Sequence, residues 1–515
     1  MSEDFKQVLW KSADKLRAQM DAAEYKHIVL GLIFLKYISD TFVKQQQKVR
    51  NMVSEPSSDY FVSEDPTEYG AELEERDYYI QDNVFWVPAQ ARWESLRAKA
   101  KQPDLGSLID SAMTLIENEN PPLQGKLDKR FGRAQLSQGV LGELVDLIST
   151  IGFANREDSS DLLGEVYEYF LGQFASAEGK KGGQFYTPSH IVKTLIAVLS
   201  PHTGRVYDPC CGSGGMFVQS EEFVKSHGGR IDDISIYGQE SNPTTWRLAA
   251  MNLAIRGFAA DLGKEPADTF ARDQFPDVKF DYIMANPPFN ISDWGGEKYE
   301  SDPRWQFGRP PVGNANYAWL QHMLWKLRPG GRAGIVLSNG SLTTDDGGQN
   351  SIREAMVKTG LVEAIISLPN KLFSNFKGGV CIWFLVNKNS QTSLESPPSV
   401  LVIDARKMGK LVNRANRTLN DSDIETLSSL VRHWRSGDSY EDIPGLCRDV
   451  PVREIEKNNY ALNPGLYIEH NEDSESEAFE DRMDKLCETL SELSMQSQSL
   501  DSELRNNLEK VGYVV

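Results

Sequence analysis

Between about Leu162 and Asn389, six short runs rich in β-branched and aromatic residues alternate with segments of helical period: RVYDP, ISIYGQE, FDYIMA, AGIVLSN, LVEAIISLP and VCIWFLVN. Such alternation constrains the chain strongly, because a parallel return between strands needs a crossover long enough to hold a helix. The expected class is therefore α/β, a mainly parallel, doubly wound sheet, with the run SVLVIDAR near 399 extending it.

The flanks read differently. From Asp4 to about Ser149 the apolar residues recur at helical spacing (Val8, Leu9, Leu16, then Ile28, Leu32, Leu35, Ile38), broken by polar stretches near 52–80 and 118–135. This predicts an all-helical first domain, 1–160, ahead of an α/β domain, 161–468. The segment 469–515 reads as an acidic linker and helical tail. From His470 onward it holds twelve Asp/Glu against four Lys/Arg, yet Phe479, Met483, Leu486, Leu490, Leu493, Leu500 and Leu504 follow a 4-3-4-3-7-4 spacing. That is a heptad stripe, and one helix cannot bury such a face alone.

Composition excludes several classes. At 515 residues, 40% hydrophobic and 25% charged, the chain has ample material for packed cores and is not disordered. Its net charge of −19 repels a phosphate backbone on average, so a nucleic-acid partner would need local basic patches or help from another chain. Cys210, Cys211, Cys381, Cys447 and Cys487 form no CxxC pair and no zinc spacing, which predicts reduced thiols and no metal site. The first residues, MSEDFKQVLWKS, lack a signal-peptide pattern. The most apolar run, Ile28 to Leu35, is far short of the roughly 20 residues a bilayer span needs. A cytoplasmic protein with no membrane partner and a buried core helix is expected.

Three elements carry chemistry. After RVYDP, the turn Asp208 to Phe217 is rich in glycine and opens a helix; Gly212, Gly214 and Gly215 remove Cβ atoms that would stop a ligand approaching the backbone. By itself such a turn is equally a tight strand-to-helix connection. The next strand ends in Glu240, where doubly wound folds place a carboxylate on two ribose hydroxyls. The third element, Asn286-Pro287-Pro288-Phe289, follows an apolar strand. Two prolines withdraw two backbone donors, so the Asn286 side-chain oxygen and the Pro287 carbonyl are free to accept from an exocyclic amine, while Phe289 offers a face for a planar base.

These motifs, in this order, resemble the γ-class amino-methyltransferases, and most closely the modification (M) subunits of type I restriction-modification systems. The resemblance covers nearly the whole length. Its upstream motif is Gly183 to Ser189, its S-adenosyl-L-methionine (AdoMet) motif Asp208 to Gly215, and its catalytic tetrad Asn286 to Phe289. Ala315 to Leu342, Ile365 to Asn387 and Asn458 to Tyr467 are similar to later segments of the family. Ala267 to Phe270 stands where the family often has Gly-Asp-Thr-Leu.

The resemblance implies an AdoMet-dependent, Rossmann-like methyltransferase domain that methylates N6 of an adenine flipped from duplex DNA. Gln184, Phe185, Tyr186, Thr187, Pro188 and Ser189 would pack over the methionine end of AdoMet, with Thr187 also fitting a helix N-cap. Asp208, Gly212, Ser213, Gly214 and Gly215 would hold the cofactor, Glu240 its ribose and Asp268 its adenine. N4 of cytosine and N5 of glutamine are served by similar tetrads, but the family's cytosine enzymes usually carry Ser at the Asn286 position. No target-recognition region is evident, so a specificity (S) subunit is the expected partner. The resemblance implies a restriction (R) subunit as a further one; no GxxxxGK[ST] stands here, so ATP-driven translocation is not expected of this chain. The long aperiodic stretch 290–316, with Trp294, Trp305, Arg304 and Arg309, is expected to close over the extruded base and its phosphates.

Overall fold

The computed structural model describes residues 22–82, 84–133, 138–151, 187–226, 228, 230, 233–256, 260–373, 376, 378–388, 398–412 and 416–468, with eight positions between 483 and 500. The first part is helical, as its period predicts: α1 (Ala22–Ser54), α2 (Leu105–Glu119) and α3 (Gln138–Ser149), with short helical turns between them. Residues 27–39 of α1 are buried all round, so the run Ile28 to Leu35 is a core helix. Among the described residues, no helix is long and apolar enough to cross a membrane.

The remainder is built on a nine-stranded sheet. Its strands are β1 (Gly204–Asp208), β2 (Ile234–Gly238), β3 (Ala260–Asp261), β4 (Phe280–Ala285), β5 (Leu327–Ser338), β6 (Val362–Ser367), β7 (Val380–Val386), β8 (Ser399–Asp404) and β11 (Cys447–Pro451), in the order β11-β8-β6-β7-β5-β4-β1-β2-β3. Lys410–Leu411 and Arg417–Thr418 form a separate hairpin, β9 and β10. Every expected strand is present, and most pairings are parallel. The exceptions are β7, antiparallel to both β5 and β6, and the edge strand β11, antiparallel to β8. The connection from β6 to β7 holds no helix among its described residues, and the chain returns in the opposite direction. The short β3 and the edge strand β11 carry too few apolar residues to stand out in sequence.

Alternation along each strand feeds two cores. Val336 of β5 packs with α4 (Ser189–Leu199), α5 (Gly215–Ser226) and α9 (Asp421–Ser436), whereas Ile335 and Leu337 pack with α7 (Asn316–Lys326) and α8 (Gln349–Lys358). The helix α6 (Pro243–Ile255) serves both parts of the molecule. Its Ala249 and Leu253 join the sheet core, while Leu248 and Met251 join the helical core of α1 to α3. The segment after the sheet folds back onto it, where buried Arg353 of α8 donates to the carbonyls of Tyr460 (2.6 Å) and Thr344 (2.8 Å). Of the tail stripe, Met483, Leu490 and Leu500 are helical and 41%, 66% and 65% exposed; Phe479, Leu486, Leu493 and Leu504 lie outside the described residues.

Candidate active site

In a doubly wound sheet, ligands settle beyond the carboxyl ends of the strands where the order of connection reverses. Here that point lies between β1, whose connection runs toward β2, and β4, whose connection runs toward β5. The glycine turn leaves β1, Glu240 leaves β2, and Asn286 to Phe289 leave β4, so all three sequence motifs share one crevice.

Hydrogen bonds bind the first two together. Cys211 N–H donates to the Gln239 carbonyl (2.9 Å) and Gln239 N–H to that of Asp208 (3.0 Å). The Glu240 carboxylate accepts from Gly212 N–H (3.2 Å) and Asn242 N–H (2.7 Å). The segment that holds Asp268 joins them through Ala267 N–H on the Glu240 carbonyl (2.9 Å) and the Thr269 hydroxyl on the Pro209 carbonyl (2.5 Å). Asp268 is exposed, with one oxygen accepting from Phe270 and Ala271 N–H (2.8 and 2.9 Å).

The three glycines do different work. A Cβ on Gly212 or Gly215 would meet nothing within 4 Å, so both leave open space beside the backbone. Gly212 also needs its left-handed φ of +56°. Gly214, expected to admit a ligand, instead faces inward, where a Cβ would come within 3.3 Å of Leu253. Its φ of +80° and its packing against α6 make it a structural residue.

The crevice gathers two acidic side chains whose charged forms burial disfavours. Burial pushes the Asp208 carboxyl up to about 7, with nearby Glu240 adding to the rise. Glu240 is raised as well, chiefly by burial. Burial and the two carboxylates likewise hold the Cys210 and Cys211 thiols well above their usual range, so both stay protonated. Two carboxylates crowded at a sparsely solvated turn favour a cationic ligand, which would relieve both.

Asn286 is 7% exposed. Its side-chain nitrogen donates to the Thr187 hydroxyl at 2.9 Å, and its Oδ1 is buried without a partner. Among the described residues no donor reaches the Pro287 carbonyl. Thr187 thus orients the tetrad amide, and the expected N-cap falls to Pro188, which starts α4 without a side-chain bond. Ser189 is the first residue of that helix; Gln184, Phe185 and Tyr186 lie outside the described residues.

Phe289 packs edge-on against Phe373 (5.9 Å between centroids, 87°) and Phe376 (5.2 Å, 67°) of the β6–β7 loop. The sequence reading did not single out these two aromatics. Their signal was their position just after the Leu368-Pro369 pair at a strand's carboxyl end.

The stretch 290–316 corrects another expectation. Trp294 is buried against Phe270, and Arg304 is 8% exposed, paired with both oxygens of Asp302 (2.8 and 2.6 Å) and donating to the carbonyls of Thr269 and Phe270 (3.0 and 2.8 Å). Arg304 anchors the Asp268 segment and is not available to phosphates. Arg309 is exposed and paired with Glu300. The amide of Asn290, at φ +55°, accepts from Asn316 (2.8 Å) and Ser338 (3.2 Å), pinning the exit from the tetrad to α7 and β5.

Comparison with known proteins fits this geometry. The family model described as N-6 DNA Methylase matches residues 158–476, and the one described as HsdM N-terminal domain matches 5–148. The chain is 42% identical over 448 residues to the methylase subunit of the type I restriction enzyme HindI of Haemophilus influenzae, covering 83% of this chain and all of that one. To the methylase subunit of MjaIX from Methanocaldococcus jannaschii it is 34% identical, covering 100% and 92%. The crystal structure of a type I restriction-modification methyltransferase subunit from Streptococcus thermophilus superimposes with a TM-score of 0.74 at 26% identity, covering 91% and 99%. With its switch-point crevice, its intact tetrad and this extent of likeness, the chain belongs to the N-6 DNA methylases, as a methylase subunit of the type I restriction enzymes.

Proposed function

We propose that this subunit transfers a methyl group from AdoMet to N6 of an adenine extruded from duplex DNA, with sequence readout supplied by a separate specificity subunit. The unpartnered Oδ1 of Asn286 carries the reading. A buried acceptor left without a donor is costly, and a site built to satisfy it with a substrate N–H recovers that cost only when the substrate is present.

What supports AdoMet here is the open space beside Gly212 and Gly215 and the two buried carboxyl groups at the turn, which a cation would relieve. Asp208, Gly212, Ser213 and Gly215 would hold it, with Glu240 on the ribose, Asp268 on the adenine, and Thr187 to Ser189, together with Gln184 to Tyr186, over its methionine end. When bound, it supplies an electrophilic methyl on a good leaving thioether. The chain's part is alignment. Asn286 Oδ1 and the Pro287 carbonyl accept the two N6 hydrogens and turn the amine lone pair toward the methyl. The surplus proton left on the methylated amine would pass to water. Pro288 keeps the strand end rigid, and Phe289 stacks on the base.

The chain holds −19 charge and no evident recognition region, which supports a specificity subunit as the source of readout and of much of the positive surface. A restriction subunit is a further partner of such an assembly. The acidic tail with its exposed Met483, Leu490 and Leu500 is the docking element toward the specificity subunit. Asn286→Ala, assayed with tritiated AdoMet and the partner present, is expected to lose about 100-fold or more in rate while keeping AdoMet affinity. Transfer near the wild-type rate would overturn the mechanism.

A further inference from the structure

Residues 405–418 carry five Lys/Arg and no Asp/Glu, in a chain of net charge −19. They leave β8 at Asp404 and contain the hairpin β9–β10. Because β8 runs parallel to β6, and β6 and β5 are both antiparallel to β7, the hairpin leaves the same edge of the sheet as the tetrad. Its base is tied to both segments that touch the tetrad. Arg417 N–H donates to the Lys371 carbonyl (2.9 Å) in the loop that holds Phe373 and Phe376. The Thr418 hydroxyl meets His190 Nδ1 (3.2 Å) on α4, three residues beyond Thr187.

Part of the basic set is structural. Arg406 pairs with buried Asp404 (2.8 Å), and Arg417 donates to the carbonyls of Met408 (2.7 Å) and Gly409 (3.2 Å). Lys407 and Lys410 are different: both are exposed, and among the described residues neither has an acidic partner. Beside them Leu411 and Val412 are 50% and 66% exposed. Lysines on a free edge discourage pairing with other chains, but a hairpin built only for that would not present two adjacent apolar side chains.

We infer that this hairpin is a DNA-binding element of the subunit, in which Lys407 and Lys410 contact backbone phosphates flanking the target base and Leu411 and Val412 lie against the duplex. The inference rests on the DNA-methylation reading above. Between β8 and β4 lie four strand spacings of about 4.8 Å, or roughly 19 Å. At ~3.4 Å per step this puts the phosphate contacts about five to six nucleotides from the flipped base. The net acidity of the chain then has a local exception beside the catalytic crevice.

The test uses the assembled complex with its specificity subunit. Lys407→Glu/Lys410→Glu and Leu411→Ser/Val412→Ser are compared with wild type for binding to a duplex of about 40 base pairs across a series of salt concentrations. Methylation of DNA from a host lacking the system is measured alongside. The lysine variant is expected to bind at least about tenfold more weakly near 0.15 M salt and to reduce the salt slope by about two per copy of this chain. The apolar variant should weaken binding with the slope unchanged, and both should keep wild-type AdoMet affinity and co-purify with the specificity subunit. Unchanged DNA affinity and slope in the lysine variant, with wild type active, would overturn the hairpin's role and leave the methylation reading intact. Loss of the specificity subunit by either variant would make the hairpin a protein interface and likewise overturn it. Failure of the wild-type complex to methylate would instead strike the reading on which it rests.

Discussion

The side-chain nitrogen of Asn286 donates to the hydroxyl of Thr187 at 2.9 Å, across 99 residues of sequence. One bond thereby fixes which end of the amide faces the crevice: with Nδ2 committed, Oδ1 is the atom presented to a substrate amine.

Thr187→Val keeps the shape of the side chain and removes its polar atom. The Asn286 amide is then free to rotate, and the rate of methyl transfer is expected to fall about tenfold. Thr187→Ser should restore most of it. Equal rates for the valine and serine variants in a single-turnover assay would show that the hydroxyl has no orienting role.

The glycine turn offers a paired test. Gly215→Val adds a side chain into open space at the start of α5, so the protein should fold and lose AdoMet binding by calorimetry. Gly214→Val combines a left-handed φ of +80° with a clash against Leu253, and should cost about 2 kcal/mol or more of stability. A stable Gly214→Val, or tight AdoMet binding by Gly215→Val, would reverse the assignment of these two positions.

Asp208 makes stability depend on pH. Its folded value of about 7 lies above the ordinary 3.8, so the folded state holds the proton more tightly than the unfolded one. Stability is therefore expected to fall as pH rises from about 4 to about 7 and to level off above that. Saturating AdoMet, a cationic ligand, should flatten the fall. Thermal melts of Asp208→Asn should lack this component; a wild-type slope in that variant would mean another group titrates.

Truncation after Ile468 removes the acidic tail and leaves the sheet and its backfolded segment intact. The shortened chain is expected to bind AdoMet, and to lose both co-purification with the specificity subunit and methylation. Normal assembly of the truncated chain would assign the stripe to local packing.

Much of this protein is legible in its residues alone. The runs RVYDP, FDYIMA and AGIVLSN become β1, β4 and β5 because a buried strand needs a short apolar run. Glu240 and Asn286 could be assigned to one edge because each stands directly after such a run. What the chain does not display locally is which strand lies beside which. The antiparallel slot of β7 between β5 and β6, the inward face of Gly214, the buried pairing of Arg304 with Asp302, and the contact of Thr187 with Asn286 all join residues through space. Periodicity reports whether a side chain is buried, whereas its partner is set by how the layers close. For that reason the tetrad was visible in the sequence, while the threonine that aims it and the phenylalanines that flank it were decided only by the tertiary structure.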